Sequence, residues 1–108
     1  MDNELCIRLL KEEIDTNGQI QLVVHGDSML PTLKNKDKVV LEKKEQIDVG
    51  DIVGYYIETD DKIKIVVHRA IFVRKTYILT KGDNNDFIDP IRVVKPSILG
   101  VVRRKNDL

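Results

Sequence analysis

Residues 24–32 read VHGDSMLPT and stand where the first apolar run of the chain ends. The run before it, IQLVV at 20–24, is rich in strand-forming residues and predicts a strand. Gly26 can adopt a positive φ, whereas Pro31 fixes its own φ and keeps the preceding residue out of helical geometry. Ser28 is therefore expected in a constrained turn. Such a turn can hold a nucleophile, but Gly, Asp, Ser and Pro also form ordinary turns.

The segments on either side of this turn predict a mainly β domain preceded by one N-terminal helix. Apolar residues at helical spacing, among them Leu5, Leu9 and Ile14, predict a helix over 3–15 that packs on the sheet, and Asn17-Gly18 predicts its end. Beyond the helix, runs rich in β-branched residues alternate with turn residues and predict six or seven strands. These runs are 20–24, 38–42, 52–57, 62–73, 77–80, 93–96 and 98–103. We therefore expect a small, partly closed, mostly antiparallel β domain.

Length and composition indicate one globular domain without a nucleic-acid partner. The 108 residues divide into an N-terminal helix at 1–17, a β core at 19–103 and a tail at 104–108. Lysine and arginine number 18, as do aspartate and glutamate, so the formal net charge is zero and predicts no nucleic-acid binding. The single cysteine, Cys6, excludes an internal disulfide.

The sequence contains no segment that predicts a membrane span. No apolar run approaches the roughly 18 residues that a span requires, and the acidic, amphipathic N-terminus does not resemble a signal peptide. We therefore expect a cytoplasmic protein. The basic residues at 103–105 predict a solvated tail, with a role at a phosphate or lipid surface as the alternative.

Two histidines could activate a serine hydroxyl, which is a poor nucleophile until a base takes its proton. His25 lies three residues before Ser28, and His68 lies forty residues after it in a predicted strand. Imidazole is the side chain best suited to accept and return a proton near neutral pH. A histidine among apolar strand residues is, however, more often part of the core or of a sheet edge.

The segment KGDNNDFIDP at 81–90 contributes three carboxylates, from Asp83, Asp86 and Asp89. A carboxylate can hold a catalytic histidine in the required tautomer and stabilise the imidazolium. Turn residues also dominate this segment, so an ordinary loop is the alternative. Its spacing does not fit the twelve-residue calcium loop, and we expect neither a metal nor a cofactor.

Five segments, taken in order, resemble the sequence boxes of the type I signal peptidase and LexA-like peptidase superfamily. They are GDSMLPT at 26–32, DVGDIV at 48–53, VHRAI at 67–71, TKGDNN at 80–85 and ILGVV at 98–102. The resemblance implies that Ser28 is the nucleophile. His68 occupies the position of the lysine base of the bacterial membrane enzymes, which is similar to the Ser-His form of archaeal and endoplasmic-reticulum signal peptidases.

The resemblance also implies that an aspartate in or after the Gly-Asp-Asn box assists His68. We expect Asp89 to be this partner and Asp83 to be a structural or orienting carboxylate, with the reverse assignment as the alternative. Gly26 stands where some relatives carry a hydroxyl residue that contributes to the oxyanion hole. The backbone N–H of Ser28 is therefore the expected oxyanion donor.

By the same resemblance, a substrate peptide would lie as an added strand at the edge near Val23 and Val24 and along the strand through Val66. Met29 would form an apolar floor under the peptide, or else belong to the core. The expected function is a serine endopeptidase that cleaves a peptide or protein substrate, with a leader peptide as one option. A short polar helix stands where signal peptidases have a membrane segment, so the chain resembles their small soluble relatives. The alternative is a non-catalytic or weakly active peptide-binding module on the same fold.

Overall fold

In a computed structural model, which describes residues 3–103, one helix packs on a seven-stranded sheet. Helix α1 spans Asn3–Asn17. The strands are β1 Gln19–Val23, β2 Lys38–Glu42, β3 Ile52–Thr59, β4 Lys62–Val73, β5 Tyr77–Lys81, β6 Val93–Val94 and β7 Ile98–Val102. The predicted tail at 104–108 lies outside the described residues.

All neighbouring strands pair antiparallel, in the order β1-β2-β7-β3-β4-β5-β6. β1 and β6 end the sheet, so it is open rather than a closed barrel. The prediction of a mainly antiparallel β domain with one helix in front is confirmed. The predicted run 93–96 is shorter than expected, because a 3₁₀ helix at Lys95–Ser97 follows β6 and Pro96 has no N–H to donate to a ladder.

The core lies on both faces of the central strands. On one face, residues of β3, β4, β5 and β6 form a cluster that is almost fully buried: Val53, Tyr55, Ala70, Ile78 and Val93, with Ile47 from a loop. On the other face, α1 covers a second cluster that contains Ile14, Ile20, Leu41 and Leu99. A third cluster, with Val24, Met29, Leu33 and Val39, lies under the turn that carries Ser28. That turn is therefore supported by packed side chains.

Helix α1 packs on the sheet as predicted, but only through part of its apolar surface. Ile14 is 3% exposed, and Leu10 packs against the same cluster. Leu5 and Leu9 are 42% and 49% exposed, so their predicted inward placement is wrong. The helix meets the sheet mainly at β1 and β7, which its C-terminal half reaches. Within residues 3–103, no helix combines the length and apolar character needed to cross a membrane.

The long strand β4 is paired on both sides over only part of its length. β3 pairs with β4 from Lys62 to Arg69, whereas β5 pairs with β4 only from Arg69 onward. On the side away from β3, residues 62–68 thus have no strand partner among the described residues. His68 lies at the end of this open edge, next to the start of the β5 pairing.

Candidate active site

The turn that carries Ser28 is fixed by backbone geometry and by hydrogen bonds within it. Gly26 adopts a φ of 88°, which a side chain would disfavour, and its N–H donates to Asn35 Oδ1 at 2.8 Å. The backbone of Asp27 accepts from Leu30 N–H at 3.2 Å. The sequence pattern around Ser28 predicted a constrained turn, and this prediction is confirmed.

Ser28 and His68 lie within hydrogen-bond distance although forty residues separate them in sequence. Ser28 Oγ is 3.0 Å from His68 Nε2. The side chain of His68 is 12% exposed, so the imidazole is mostly covered. His25, the other candidate base, is exposed and has no such contact with the serine among the described residues. Of the two histidines, the structure brings His68 to Ser28.

Asp89 lies on the far side of His68. Its Oδ2 is 2.6 Å from His68 Nδ1, so Ser28, His68 and Asp89 form one continuous line of hydrogen bonds, here called the Ser-His-Asp chain. Thr80 holds the carboxylate from β5, since its Oγ1 donates to Asp89 Oδ2 at 2.8 Å. The Asp89 N–H also donates to the Thr80 carbonyl at 2.8 Å. Both the backbone and the side chain of Asp89 are therefore fixed to β5.

The hydroxyl of Tyr55 completes the surroundings of Asp89. It lies 2.9 Å from Thr80 Oγ1 and 3.4 Å from Asp89 Oδ2. Tyr55 is 3% exposed, and burial, together with the nearby Asp89 carboxylate, raises the pKa of its hydroxyl to about 12. Tyr55 is consequently a neutral hydrogen-bond donor across the physiological pH range.

The Asp83 carboxylate contacts Arg69 and Thr32 instead of His68, and these contacts are here called the Asp83 clamp. Arg69 donates to the two carboxylate oxygens of Asp83 from Nε and Nη2, both at 2.8 Å, in a bidentate ion pair. Thr32 Oγ1 donates to Asp83 Oδ2 at 2.6 Å. The hydrogen bond from Arg69 lowers the pKa of Asp83 against the opposing effect of burial, and Thr32 contributes in the same direction. The clamp therefore ties β4 to the turn after Ser28.

The Gly-Asp-Asn box also packs directly on the serine turn. A Cβ on Gly82 would lie 2.7 Å from the carbonyl oxygen of Ser28 and 3.1 Å from its Cβ, so only glycine fits there. Asn84 donates from its backbone to the Ser28 carbonyl at 2.8 Å and from its side chain to the Asp27 carbonyl at 3.1 Å. These contacts set the position of Ser28 relative to His68.

The remaining residues expected at the site lie close to it but take different positions. Met29 is 1% exposed and belongs to the core cluster under the turn, which is one of the two roles that the sequence left open. Val24 is 6% exposed, and its N–H and carbonyl are bonded to residues 36 and 37. Val66 lies on β4, two residues before His68, and packs partly against the core.

Sequence reasoning missed several residues that support the site. Tyr55 lies 34 residues before Asp89 in sequence, and no local pattern relates it to a carboxylate. Thr80 begins the box at 80–85, but nothing in that box indicates a contact with Asp89 nine residues later. Asn84 could have been identified, because it belongs to the box at 80–85 and amide side chains commonly bond turn carbonyls. Arg69 could also have been paired with a carboxylate, since it directly follows the candidate base.

The described part of the chain offers no metal centre, because no three or more His, Cys, Asp or Glu side chains converge there. An open cavity of about 900 Å³ lies between residues 32–39 and 49–52, with Arg69 on its wall. None of the three residues of the Ser-His-Asp chain lines this cavity. It is therefore next to the Asp83 clamp and separate from the candidate reacting atoms.

Comparison with known proteins assigns the chain to a family. No curated protein and no solved structure matches it significantly. A family model described as Peptidase S24-like matches residues 3–103, which is nearly the whole chain. The match agrees with the LexA-like resemblance of the sequence boxes and supports a peptidase-type fold. On this basis the chain belongs to the Peptidase S24-like family.

Proposed function

We propose that this protein is a serine endopeptidase that cleaves a peptide or protein substrate through Ser28, His68 and Asp89. The observation that carries the proposal is the continuous Ser-His-Asp chain, with its two contacts of 3.0 and 2.6 Å. A serine hydroxyl becomes nucleophilic when a base held by a third group takes its proton. A protein that only binds peptides does not require this alignment.

In the proposed reaction, the proton of Ser28 moves to His68 Nε2 as Oγ forms a bond to the substrate carbonyl carbon. Asp89 stabilises the resulting imidazolium through Nδ1. His68 then returns the proton to the leaving amine as the carbon–nitrogen bond breaks, which leaves an ester on Ser28. A water molecule, activated in the same way by His68, hydrolyses this ester and restores the serine.

The backbone N–H of Ser28 is the proposed donor to the oxyanion. Among residues 3–103 no acceptor is bonded to this N–H, whereas the N–H of Gly26 is already bonded to Asn35. One preorganised donor contributes a factor of about a hundred or more to the rate in known serine proteases. Gly26 thus supports the turn, and the oxyanion is assigned to Ser28.

The open edge of β4 is the proposed docking site for the substrate backbone. Ala70 directs its N–H and carbonyl to residues 50 and 51, beside β3. Because alternate residues of an antiparallel strand bond to opposite sides, Val66 and His68 also bond toward β3, whereas Ile65 and Val67 face the open edge. An extended peptide would pair with Ile65 and Val67 by strand addition.

The edge of β1 offers a second set of backbone groups to the same peptide. Val24 bonds to residues 36 and 37, on the side of β2. The same alternation then places the backbone groups of Val23 on the outer side of β1. Ser28 lies in the turn that follows β1, and its hydroxyl contacts His68 at the end of the open edge of β4. A peptide held between the two edges would therefore present its scissile carbonyl to Ser28.

Covalent labelling tests the proposal directly. A small fluorophosphonate forms a phosphonyl ester only with an activated serine, and intact mass reports it. The chain contains two serines and two histidines, so each variant has a matched control. We expect one adduct on the wild type, on Ser97→Ala and on His25→Ala, and none on Ser28→Ala or His68→Ala.

An unlabelled wild type that remains folded between pH 6 and 9 would count against the peptidase and favour the peptide-binding module. Two probes of different size would exclude a cleft that is too narrow for one of them. Labelling of Ser28→Ala, or its loss in Ser97→Ala, would place the reactive serine elsewhere. An adduct on His68→Ala at the wild-type rate would remove His68 as the base.

A further inference from the structure

Behind the Ser-His-Asp chain lies a buried pair of hydroxyl groups that the proposed reaction does not use. We propose that Tyr55 and Thr80 are positioning residues that orient Asp89 and thereby fix the tautomer of His68. This inference rests on the proposed function of the Ser-His-Asp chain. It adds that the line of hydrogen bonds continues beyond Asp89 to Thr80 on β5 and to the neutral, buried hydroxyl of Tyr55 on β3.

The count of protons gives the network one consistent direction. Thr80 Oγ1 lies 2.8 Å from Asp89 Oδ2 and 2.9 Å from the Tyr55 hydroxyl, and each hydroxyl has one proton to donate. An ionised Asp89 can only accept, so Thr80 donates to it at the short distance of 2.8 Å. The Tyr55 hydroxyl, 2.9 Å from Thr80 Oγ1 and 3.4 Å from Asp89 Oδ2, then donates to Thr80 and more weakly toward Asp89. His68 Nδ1–H is then a further donor to Asp89, which leaves Nε2 free to accept from Ser28.

The loop that carries Asp89 explains why this support is needed. Asp86, Phe87, Ile88, Pro90 and Ile91 are all exposed, and Phe87 is 82% exposed. Asp89 is the partly buried residue among them, with a side chain that is 20% exposed. Its attachment to Thr80 through both backbone and side chain therefore determines where the carboxylate lies. Thr80 is fully buried on β5, which is a rigid site for this attachment.

The position of Tyr55 makes it a donor of fixed geometry. It is buried on β3 directly opposite Val66 of β4, on the sheet face that also presents His68. Within the described residues no buried side-chain polar atom lacks a partner, so the Tyr55 and Thr80 hydroxyls are satisfied by this network. Hydrogen-bonded chains of this kind strengthen one another in a low-dielectric interior.

Two conservative substitutions test the inference by removing single hydroxyls. Thr80→Val keeps the shape of the side chain, and we expect the fluorophosphonate labelling rate to fall by about tenfold to a hundredfold as the carboxylate loses its anchor. Tyr55→Phe keeps the ring, and we expect a fall of about three- to tenfold. Thr80→Ser retains the hydroxyl and should recover most of the rate. The matched control is Tyr56→Phe, because Tyr56 faces the opposite side of the sheet.

A pH profile separates this role from a merely structural one. In Thr80→Val the carboxylate that has lost its anchor stabilises the imidazolium less, so the pH of half-maximal labelling should fall by about half a unit. A structural defect would lower the rate at every pH and leave that midpoint in place. Folding of each variant is monitored by circular dichroism and urea unfolding.

Nuclear magnetic resonance gives a second readout that needs no activity. In ¹⁵N-labelled wild type we expect the ring nitrogens of His68 to report a proton on Nδ1, and this pattern should shift toward mixed tautomers in Thr80→Val. Wild-type tautomer and wild-type midpoint in both Thr80→Val and Tyr55→Phe would overturn the inference. If the wild type shows the Nδ1–H tautomer yet is never labelled, the proposed peptidase fails while the positioning role stands. If Thr80→Val does not fold, Tyr55→Phe alone decides the outcome.

Discussion

Asp83 and Asp89 come from one loop, six residues apart, yet they have different partners. Asp83 meets a guanidinium that stays charged at every pH at which the protein folds. Asp89 meets an imidazole, which can gain and lose a proton near neutral pH, and two hydroxyl groups. The same type of side chain therefore pairs with a permanently charged partner at one position and with a titratable partner at the other.

The two contacts also connect different parts of the fold. The Asp83 clamp joins β4 to the turn after Ser28, and so fixes where the serine lies. The Ser-His-Asp chain joins the same turn to β5 through the side chains that take part in the proposed reaction. The identity of the partner, more than the residue itself, therefore separates the structural carboxylate from the one assigned to chemistry.

Asp89→Asn should have the largest effect on reactivity. An asparagine can present an N–H to His68 and favour the wrong tautomer, and the corresponding change in a known serine protease costs about 10⁴ in rate. We expect the fluorophosphonate labelling rate to fall by about three to four powers of ten. The free energy of unfolding should change by less than about 1 kcal/mol, since the amide can still accept from Thr80. A larger loss of labelling in Asp83→Asn than in Asp89→Asn would reverse the two assignments.

Asp83→Asn should show the opposite pattern, with stability affected more than reactivity. The substitution leaves the partly buried Arg69 with a neutral partner, and we expect the free energy of unfolding to fall by about 1–3 kcal/mol. Labelling should decrease by about tenfold, because the turn that holds Ser28 becomes less constrained. Urea unfolding and labelling of the same samples measure both effects. Unchanged stability would show that the clamp does not hold the turn.

Lowering the pH should remove the contribution of Asp83 to the free energy of unfolding. Its pKa in the folded protein is lowered, chiefly by the hydrogen bond from Arg69, whereas an aspartate in an unfolded chain has a pKa of about 3.9. The ion pair is therefore fully stabilising above about pH 4 and is lost as the pH falls through the lowered value. The difference in unfolding free energy between the wild type and Asp83→Asn should be constant from pH 7 to 5 and narrow below pH 4. A difference that widens toward acid would contradict this sign.

The sequence predicted the fold well where patterns are local. The run rich in β-branched residues between turn residues predicted the observed bounds of β4, Lys62 and Val73, and Asn17-Gly18 ended α1 as expected, with Gly18 at a φ of 75°. The inward placement of Leu5 and Leu9 failed, because periodicity does not tell how far along a helix the sheet extends. Local spacing describes an element but not the extent of its contacts.

The candidate site could be predicted only in part. Ser28, His68 and the two aspartates were selected by the resemblance of their boxes, and the sequence left the order of Asp83 and Asp89 open. The roles of Tyr55 and Thr80 have no local signature, although Thr80 begins the box at 80–85, since their hydroxyls meet around Asp89 only after β3, β4 and β5 pair. Contacts that arise from strand pairing need the register, which these short runs do not specify.

Thr32→Val should have the smallest effect, and it tests how much one hydrogen bond adds to the Asp83 clamp. Thr32 donates one hydrogen bond to Asp83, while the bidentate contact from Arg69 remains. We expect unfolding to become easier by about 0.5–1 kcal/mol and labelling to stay within about twofold of wild type. In an Asp83→Asn background the same change should have less effect, because the two side chains act through one contact. Equal effects in both backgrounds would separate Thr32 from the clamp, and the serine turn would then depend on Arg69 and Asp83 alone.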